Sequence, residues 1–272
     1  MRSPPNGVAR GVGGRPRVPS RPVIEAVIFD YGGVISSPLF RGLLAFEETM
    51  GYPRGSLIRL LFGDGDYLTL GVDGDVIGNT AGGDPVDGAG GGGAGGDDDA
   101  VTHDWHRLEI GEISLHEYLN AVIVNAPGTV GQALDLSAYQ RFMAESPIGI
   151  HWQVVHRIRE LRADGLRTAL LTNNVAEFSD AWRSTFPVDE LFELVVDSSA
   201  VRIRKPDHRI YRLTASRLGV DPTACVFIDD NRDNVEAARA VGMQAVHFGE
   251  DPRPALAALD DVLARVGTRP TR

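Results

Sequence analysis

Cysteine and lysine each occur once in this chain of 272 residues, as Cys225 and Lys205. A single cysteine excludes an internal disulfide framework and fits a reducing compartment such as the cytoplasm. Long apolar runs are missing too. No stretch approaches the roughly 20 residues that a membrane span needs, so no membrane association is expected. Residues 1–21 carry five arginines and no apolar stretch. That composition lacks the apolar core of a secretory signal and reads as a disordered basic tail. Positive charge is scarce overall, with 27 Lys and Arg against 37 Asp and Glu. Outside the tail no basic face stands out, which excludes nucleic acid as the expected partner.

Nine of the aspartates fall between Gly63 and Asp99, a stretch of 37 residues with 14 glycines and no basic residue. So many glycines cost more to order than so little apolar surface returns. The nine-residue repeat of calcium β-helices and the EF-hand spacing are both absent. Residues 63–100 therefore read as a flexible Gly/Asp-rich loop.

The rest of the chain is rich enough in apolar residues, 43% overall, to build a core. Short apolar runs alternate with helical periodicity. Val23–Phe29, Thr168–Leu171, Leu194–Val196, Cys225–Ile228 and Ala245–Phe248 read as buried strands. Between them, a helix carries Trp152, Val155, Ile158 and Leu161 on one face, and further helices span Asp207–Leu218 and Asn234–Val241. This alternation predicts an α/β fold: a doubly wound, parallel, Rossmann-like sheet. About a hundred residues after the first strand break the pattern. There Leu39–Met50, Ser56–Phe62, Trp105–Leu108, Ser114–Val124 and Leu136–Ala144 read as helices. The expected organisation is a core of 22–38 and 146–266, with 39–145 inserted as a helical cap.

Each polar cluster follows a strand. Asp30 ends the first, Thr172-Asn173-Asn174 the second, and Asp229-Asp230 the fourth; Lys205 comes after the third. In an open parallel sheet the carboxyl ends of the strands form the binding crevice, so these residues should converge. Carboxylates hold a hard divalent cation, and a hydroxyl and an ammonium beside it suit a phosphate. A carboxylate against that phosphate can act as nucleophile. The lone lysine fits this picture. The other 26 basic residues are arginine, a broad planar fork, whereas lysine enters a narrow site as a point charge.

Four stretches, in order, resemble the haloacid dehalogenase-like hydrolase superfamily. They are Phe29-Asp30-Tyr31-Gly32-Gly33-Val34, Leu171-Thr172-Asn173-Asn174, Lys205-Pro206-Asp207 with Ile210-Tyr211, and Phe227-Ile228-Asp229-Asp230-Asn231 continuing to Asn234. Trp105–Tyr118 resembles the small helical cap that the family inserts after its first motif. The resemblance implies a phosphatase working on a small phosphorylated substrate. It implies Asp30 as nucleophile, and Mg²⁺ held by Asp30, the Gly32 carbonyl and Asp230, with Asp229 orienting that shell or binding through water. It further implies Thr172 and backbone N–H groups near Gly33, Asn173 and Asn174 as phosphate contacts, and Lys205 as the neutralising cation. Read without the resemblance, Thr172 can also cap a turn, and Asp229-Asp230-Asn231 can cap the next helix.

One departure stands out. Where most phosphatases of the superfamily place an aspartate as general acid, two residues after the nucleophile, this chain has Gly32. Two other readings remain open on that ground. One is a metal-independent dehalogenase, in which the aspartate attacks carbon; the paired carboxylates Asp229-Asp230 speak against it. The other is a binding or regulatory module of the same fold with weak turnover. His103 and His106, and His151 and His156, lack the spacing of a recognised metal pair. Trp152, Trp182 and Phe186 are expected to pack against the core.

Overall fold

A computed structural model of the protein describes residues 23–63, 103–145 and 149–269. The expectations of a basic tail at 1–21 and of a flexible loop at 63–100, beyond its first residue, lie outside the described residues.

The elements run β1 (Ala26–Phe29), α1 (Leu39–Met50), α2 (Ser56–Phe62), α3 (Asp104–Glu109), α4 (Leu115–Thr129), α5 (Leu136–Glu145), α6 (Trp152–Ala163), β2 (Arg167–Thr172), α7 (Ser179–Arg183), α8 (Val188–Leu191), β3 (Leu194–Asp197), α9 (Ser198–Val201), α10 (His208–Leu218), β4 (Cys225–Asp229), α11 (Arg232–Ala240), β5 (Gln244–His247) and α12 (Pro252–Val266). The five strands form one parallel sheet in the order β3-β2-β1-β4-β5. The sheet is the one the alternation predicts. Its first strand lies at the centre, flanked by β2 and β4.

Successive side chains of a strand face opposite sides of the sheet, and both sides are buried here. Val27 and Phe29 of β1 join Val226 and Ile228 of β4 on the side covered by α6 and α12. Ala26 and Ile28 join Cys225 and Phe227 on the side covered by α10 and α11. Largely apolar strands are the consequence, and they made the strands legible. Trp152 departs from expectation: it is 52% exposed, while Trp182 and Phe186 are buried. It opens α6, so it projects past the edge of the core that Val154, Val155, Ile158 and Leu161 line. The helix α12 was not anticipated, although Asp251 caps it and Pro252 stands in its first turn, a common helix opening. Helix α4 runs five residues further than its apolar pattern, through Pro127, from a capping box of Ser114 and Glu117.

Helices α1 to α4 bury a third apolar cluster, built on Leu43, Phe46, Leu57, Ile58, Leu108, Tyr118 and Val122. Val175, just after β2, is buried in the same cluster. Within it the Glu47 carboxylate accepts the backbone N–H groups of Gly55 and Leu57, both at 2.6 Å, which ties α1 to the start of α2. At the base of these helices the outgoing and returning chains pair. Ser36 bridges Ile150, Ser37 N–H donates to Gly149 O at 2.8 Å, and His151 N–H donates to Ile35 O at 2.8 Å.

Candidate active site

Because β1 is central and β1 and β4 are in register through Phe29 and Ile228, Asp30 and Asp229 emerge side by side at the carboxyl edge. Asp30 N–H donates to Ile228 O at 2.9 Å, which holds this exit fast. Lys205 lies between the two carboxylates. Its Nζ is 2.7 Å from Asp30 Oδ1 and 2.7 Å from Asp229 Oδ2. Only 1% of the Lys205 side chain is exposed, and Nζ also stands over the Phe227 ring. Asp30 Oδ1 accepts Tyr31 N–H as well, at 2.7 Å.

Asp229 is wholly engaged. Its Oδ2 takes Lys205, and its Oδ1 accepts Asn231 N–H at 2.8 Å and Asn234 Nδ2 at 3.0 Å. Asn231, not either aspartate, caps α11, accepting from Asp233 and Asn234 N–H. The aspartate pair is thereby spared for the crevice. The His247 ring bonds the Asp230 carbonyl at 2.9 Å, fixing the backbone under that carboxylate.

Carboxylate oxygens of Asp30, Asp229 and Asp230 lie within 4.8 Å of one another. Three carboxylates against one ammonium leave an excess of about two negative charges in a buried place, which is the complement of a divalent cation. The carboxyls respond accordingly. Burial, partly offset by Lys205, pushes Asp30 up to about 7. Burial and then the charges of Asp229 and Asp30 raise Asp230 well above the carboxylate range. Burial opposes the charge on Lys205, but Asp229 and Asp30 overcome it and hold the ammonium protonated. The donor set and the charge excess both fit Mg²⁺ or a similar hard cation. Among the described residues no other three acidic, histidine or cysteine side chains gather this way. His103 instead accepts Trp105 N–H through Nδ1 at 3.1 Å, capping α3.

Thr172 ends β2 with its hydroxyl 3.3 Å from the Asn173 carbonyl, a weak bond that leaves it available to a ligand. The Asn173 side chain clasps the lysine backbone: Oδ1 accepts Lys205 N–H at 2.8 Å, and Nδ2 donates to Lys205 O at 3.0 Å. Asn174, expected as a ligand contact, bonds within the loop region. Its N–H donates to Ser198 Oγ at 3.0 Å, and its Nδ2 to Asp197 Oδ2 at 2.8 Å. These groups brace the loop from behind. Gly33 has φ +72, and a Cβ there would collide with the Asp230 carboxylate. Gly32 is exposed, with open space where a Cβ would stand. The sequence offered a signal for Asp197, which ends β3, and for Ser198, which follows it; it offered none for Glu109, whose carboxylate meets Arg204 Nε at 2.6 Å.

The geometry agrees with the comparisons. The chain belongs to the haloacid dehalogenase-like hydrolases, whose family model matches residues 24–242. It is similar to mouse acyl-CoA dehydrogenase family member 10, 29% identical over 241 residues, 88% of this chain and 19% of that protein. It is also similar to a phosphoglycolate phosphatase of Salmonella paratyphi A, 30% identical over 40% of this chain and 43% of that one. An (S)-2-haloacid dehalogenase of Pseudomonas sp. is 32% identical over 33% of this chain and 39% of its own. The matched stretches span less than half the length of each of these relatives. Among solved structures, a HAD family enzyme of Bacteroides thetaiotaomicron in complex with magnesium and inorganic phosphate superposes with a TM-score of 0.54. It is 18% identical, covering 84% of this chain and 96% of that one, and the likeness is one of fold.

Proposed function

We propose that the protein is a Mg²⁺-dependent phosphatase that hydrolyses a small phosphorylated metabolite through an aspartyl-phosphate on Asp30. The observation that carries this reading is the gathering of carboxylate oxygens of Asp30, Asp229 and Asp230 within 4.8 Å of one another, with one ammonium, that of Lys205, paired to Asp30 and Asp229. A carbon-attacking dehalogenase needs one carboxylate and no cation, and the excess charge here would work against it.

In this reading Asp30, the Gly32 carbonyl and Asp230 hold the ion, with Asp229 orienting them. A Mg²⁺ ion held there would neutralise the acidic cluster and supply Lewis-acid polarisation of the phosphoryl group. A carboxylate oxygen of Asp30 attacks phosphorus, and the bond from phosphorus to the ester oxygen breaks, that oxygen keeping the electron pair. Water then attacks the phosphorus of the acyl phosphate, releasing phosphate and restoring Asp30. Lys205 holds Asp30 in place and offsets charge as the phosphoryl group approaches. Thr172 donates to a phosphoryl oxygen, and backbone N–H groups near Gly33 and Asn173 assist. The helices at 39–145 act as a cap that keeps water from the crevice and selects small substrates. The reading places the protein in the cytoplasm, as its single cysteine suggests.

The test is hydrolysis of a panel of phosphorylated metabolites with and without Mg²⁺, with Asp30→Asn as control. The expected result is Mg²⁺-dependent release of phosphate that Asp30→Asn abolishes while its melting transition persists. Turnover that survives chelation of the metal, or that survives in Asp30→Asn, rejects the mechanism.

A further inference from the structure

Arg204 and Lys205 are chain neighbours whose cations point to different partners. The Lys205 ammonium goes to Asp30 and Asp229, both at 2.7 Å. The Arg204 guanidinium goes to Glu109, at 2.6 Å, across to the helices that follow β1. Glu109 ends α3, and its side chain is only 5% exposed. The backbone of the same residue is held too: Ser198 Oγ donates to Glu109 O at 2.6 Å. Glu109 thus touches the connection between β3 and α10 twice, through its carboxylate at Arg204 and through its carbonyl at Ser198, the first residue of α9. Two further contacts flank it. A Cβ at Gly111 would lie 3.3 Å from Ser199 O, and Leu115 N–H donates to Glu177 Oε1 at 3.0 Å.

A buried carboxylate is costly unless a cation meets it, so this helix end has one seat on the core that satisfies its charge. The seat belongs to the residue that precedes the active-site lysine. We propose that Glu109 and Arg204 are a positioning pair: their contact seats the inserted helices over the crevice and sets the loop that aims Lys205 at Asp30. The inference rests on the phosphatase reading for its effect on rate, but not for its effect on the seat. Asn173 clasps the Lys205 backbone at 2.8 and 3.0 Å, so this clasp and the Arg204 contact together fix the orientation of the loop that carries Nζ. A shift of Arg204 would therefore be passed to Nζ. Displacements of about 1 Å in such groups cost up to about 10²-fold in rate.

The experiment compares Glu109→Gln, Arg204→Met and the double variant with the wild type. Arg204→Met leaves the buried Glu109 carboxylate without its cation, and Glu109→Gln removes the charge that Arg204 meets there; both are expected to melt at lower temperature. The double variant removes both charges and is expected to regain stability. If the pair were only structural, kcat would return with the stability. If it positions Lys205, kcat for para-nitrophenyl phosphate with Mg²⁺ stays about 10–100-fold low in the stable double variant. Arg204→Lys, which keeps a cation toward Glu109, is expected to retain more of the rate than Arg204→Met. Amide hydrogen exchange supplies an arm that needs no activity: residues 104–111 should exchange faster in the double variant. A wild type that hydrolyses none of the phosphate esters would reject the phosphatase reading, and exchange alone would then judge the seat. Unchanged exchange, or a double variant with wild-type kcat, overturns the proposal.

Discussion

Gly33 leaves room for Asp230: a Cβ built on the glycine would collide with Oδ2 and Cγ of that aspartate. The backbone at Gly33 is also left-handed, with φ +72, where a side chain costs about 1–2 kcal/mol. Gly33→Ala should therefore both lower the melting temperature and push the Asp230 carboxylate aside. The expected outcome is a fall in phosphatase kcat/KM of at least about 10²-fold, taking a 1 Å misplacement as the yardstick, with a weaker apparent affinity for Mg²⁺. An unchanged Mg²⁺ titration would show that Asp230 is not a ligand.

Lys205→Arg should damage the protein nearly as much as Lys205→Ala. The Nζ point charge fits between two carboxylates at 2.7 Å with 1% of the side chain exposed, a space with no room for a planar guanidinium. Removing the cation leaves two buried carboxylates unpaired, at a cost of about 3–5 kcal/mol. Denaturant unfolding in chelator measures the loss, and steady-state rates with Mg²⁺ measure the function. Wild-type rates in Lys205→Arg would remove Lys205 from the site.

The pH dependence of stability should differ with and without the metal. Burial raises Asp30 to about 7, above the ordinary 3.8 of an unfolded chain. The folded state thus holds a proton that the unfolded state has lost, so stability falls as pH rises from about 4 to about 7 and levels off above. Mg²⁺ favours the ionised carboxylates and should flatten this slope. Melting temperatures measured from pH 4 to pH 8, in chelator and in Mg²⁺, provide the check. Identical slopes would dissociate the acidic cluster from metal binding.

The absent acid at Gly32 should appear as leaving-group dependence. General acid catalysis contributes about 10²–10⁴-fold, so alkyl phosphates should lag aryl and acyl phosphates by that order. The space at Gly32 accepts a side chain without collision, so Gly32→Asp should fold and narrow the gap. The measurement is kcat/KM against leaving-group pKa for both proteins. A flat wild-type profile would mean that another group supplies the proton.

The Gly/Asp-rich segment should be dispensable for folding. Its flanks are adjacent, since a Cβ on Gly63 would lie 2.7 Å from the His103 ring. Replacing Gly65–Asp97 with a short linker therefore closes a gap that is already small, and a shorter loop costs less entropy. The melting temperature should stay within a few degrees of the wild type. A large drop would assign the segment a structural role.

The sequence alone carried the architecture of the sheet, and it singled out the polar residues at the strand ends as the candidate site. Strands buried on both faces are largely apolar, and a polar residue at or just past the end of such a strand stands out, as Asp30, Thr172 and Asp229 do. A lone lysine among arginines was legible for a similar reason. The chain order could not say which polar group faces a ligand and which braces a loop. Asn173 and Asn174 are adjacent and chemically identical, yet one clasps Lys205 and the other is tied to Asp197 and Ser198. Asn231, not its aspartate neighbours, caps α11. Glu109 and Arg204, 95 residues apart, meet at 2.6 Å. Periodicity and composition report the environment of a residue along its own element. Hydrogen bonds and ion pairs depend on distances of a few ångströms between segments, and only the packing of the sheet, its flanking helices and the inserted helices decides those.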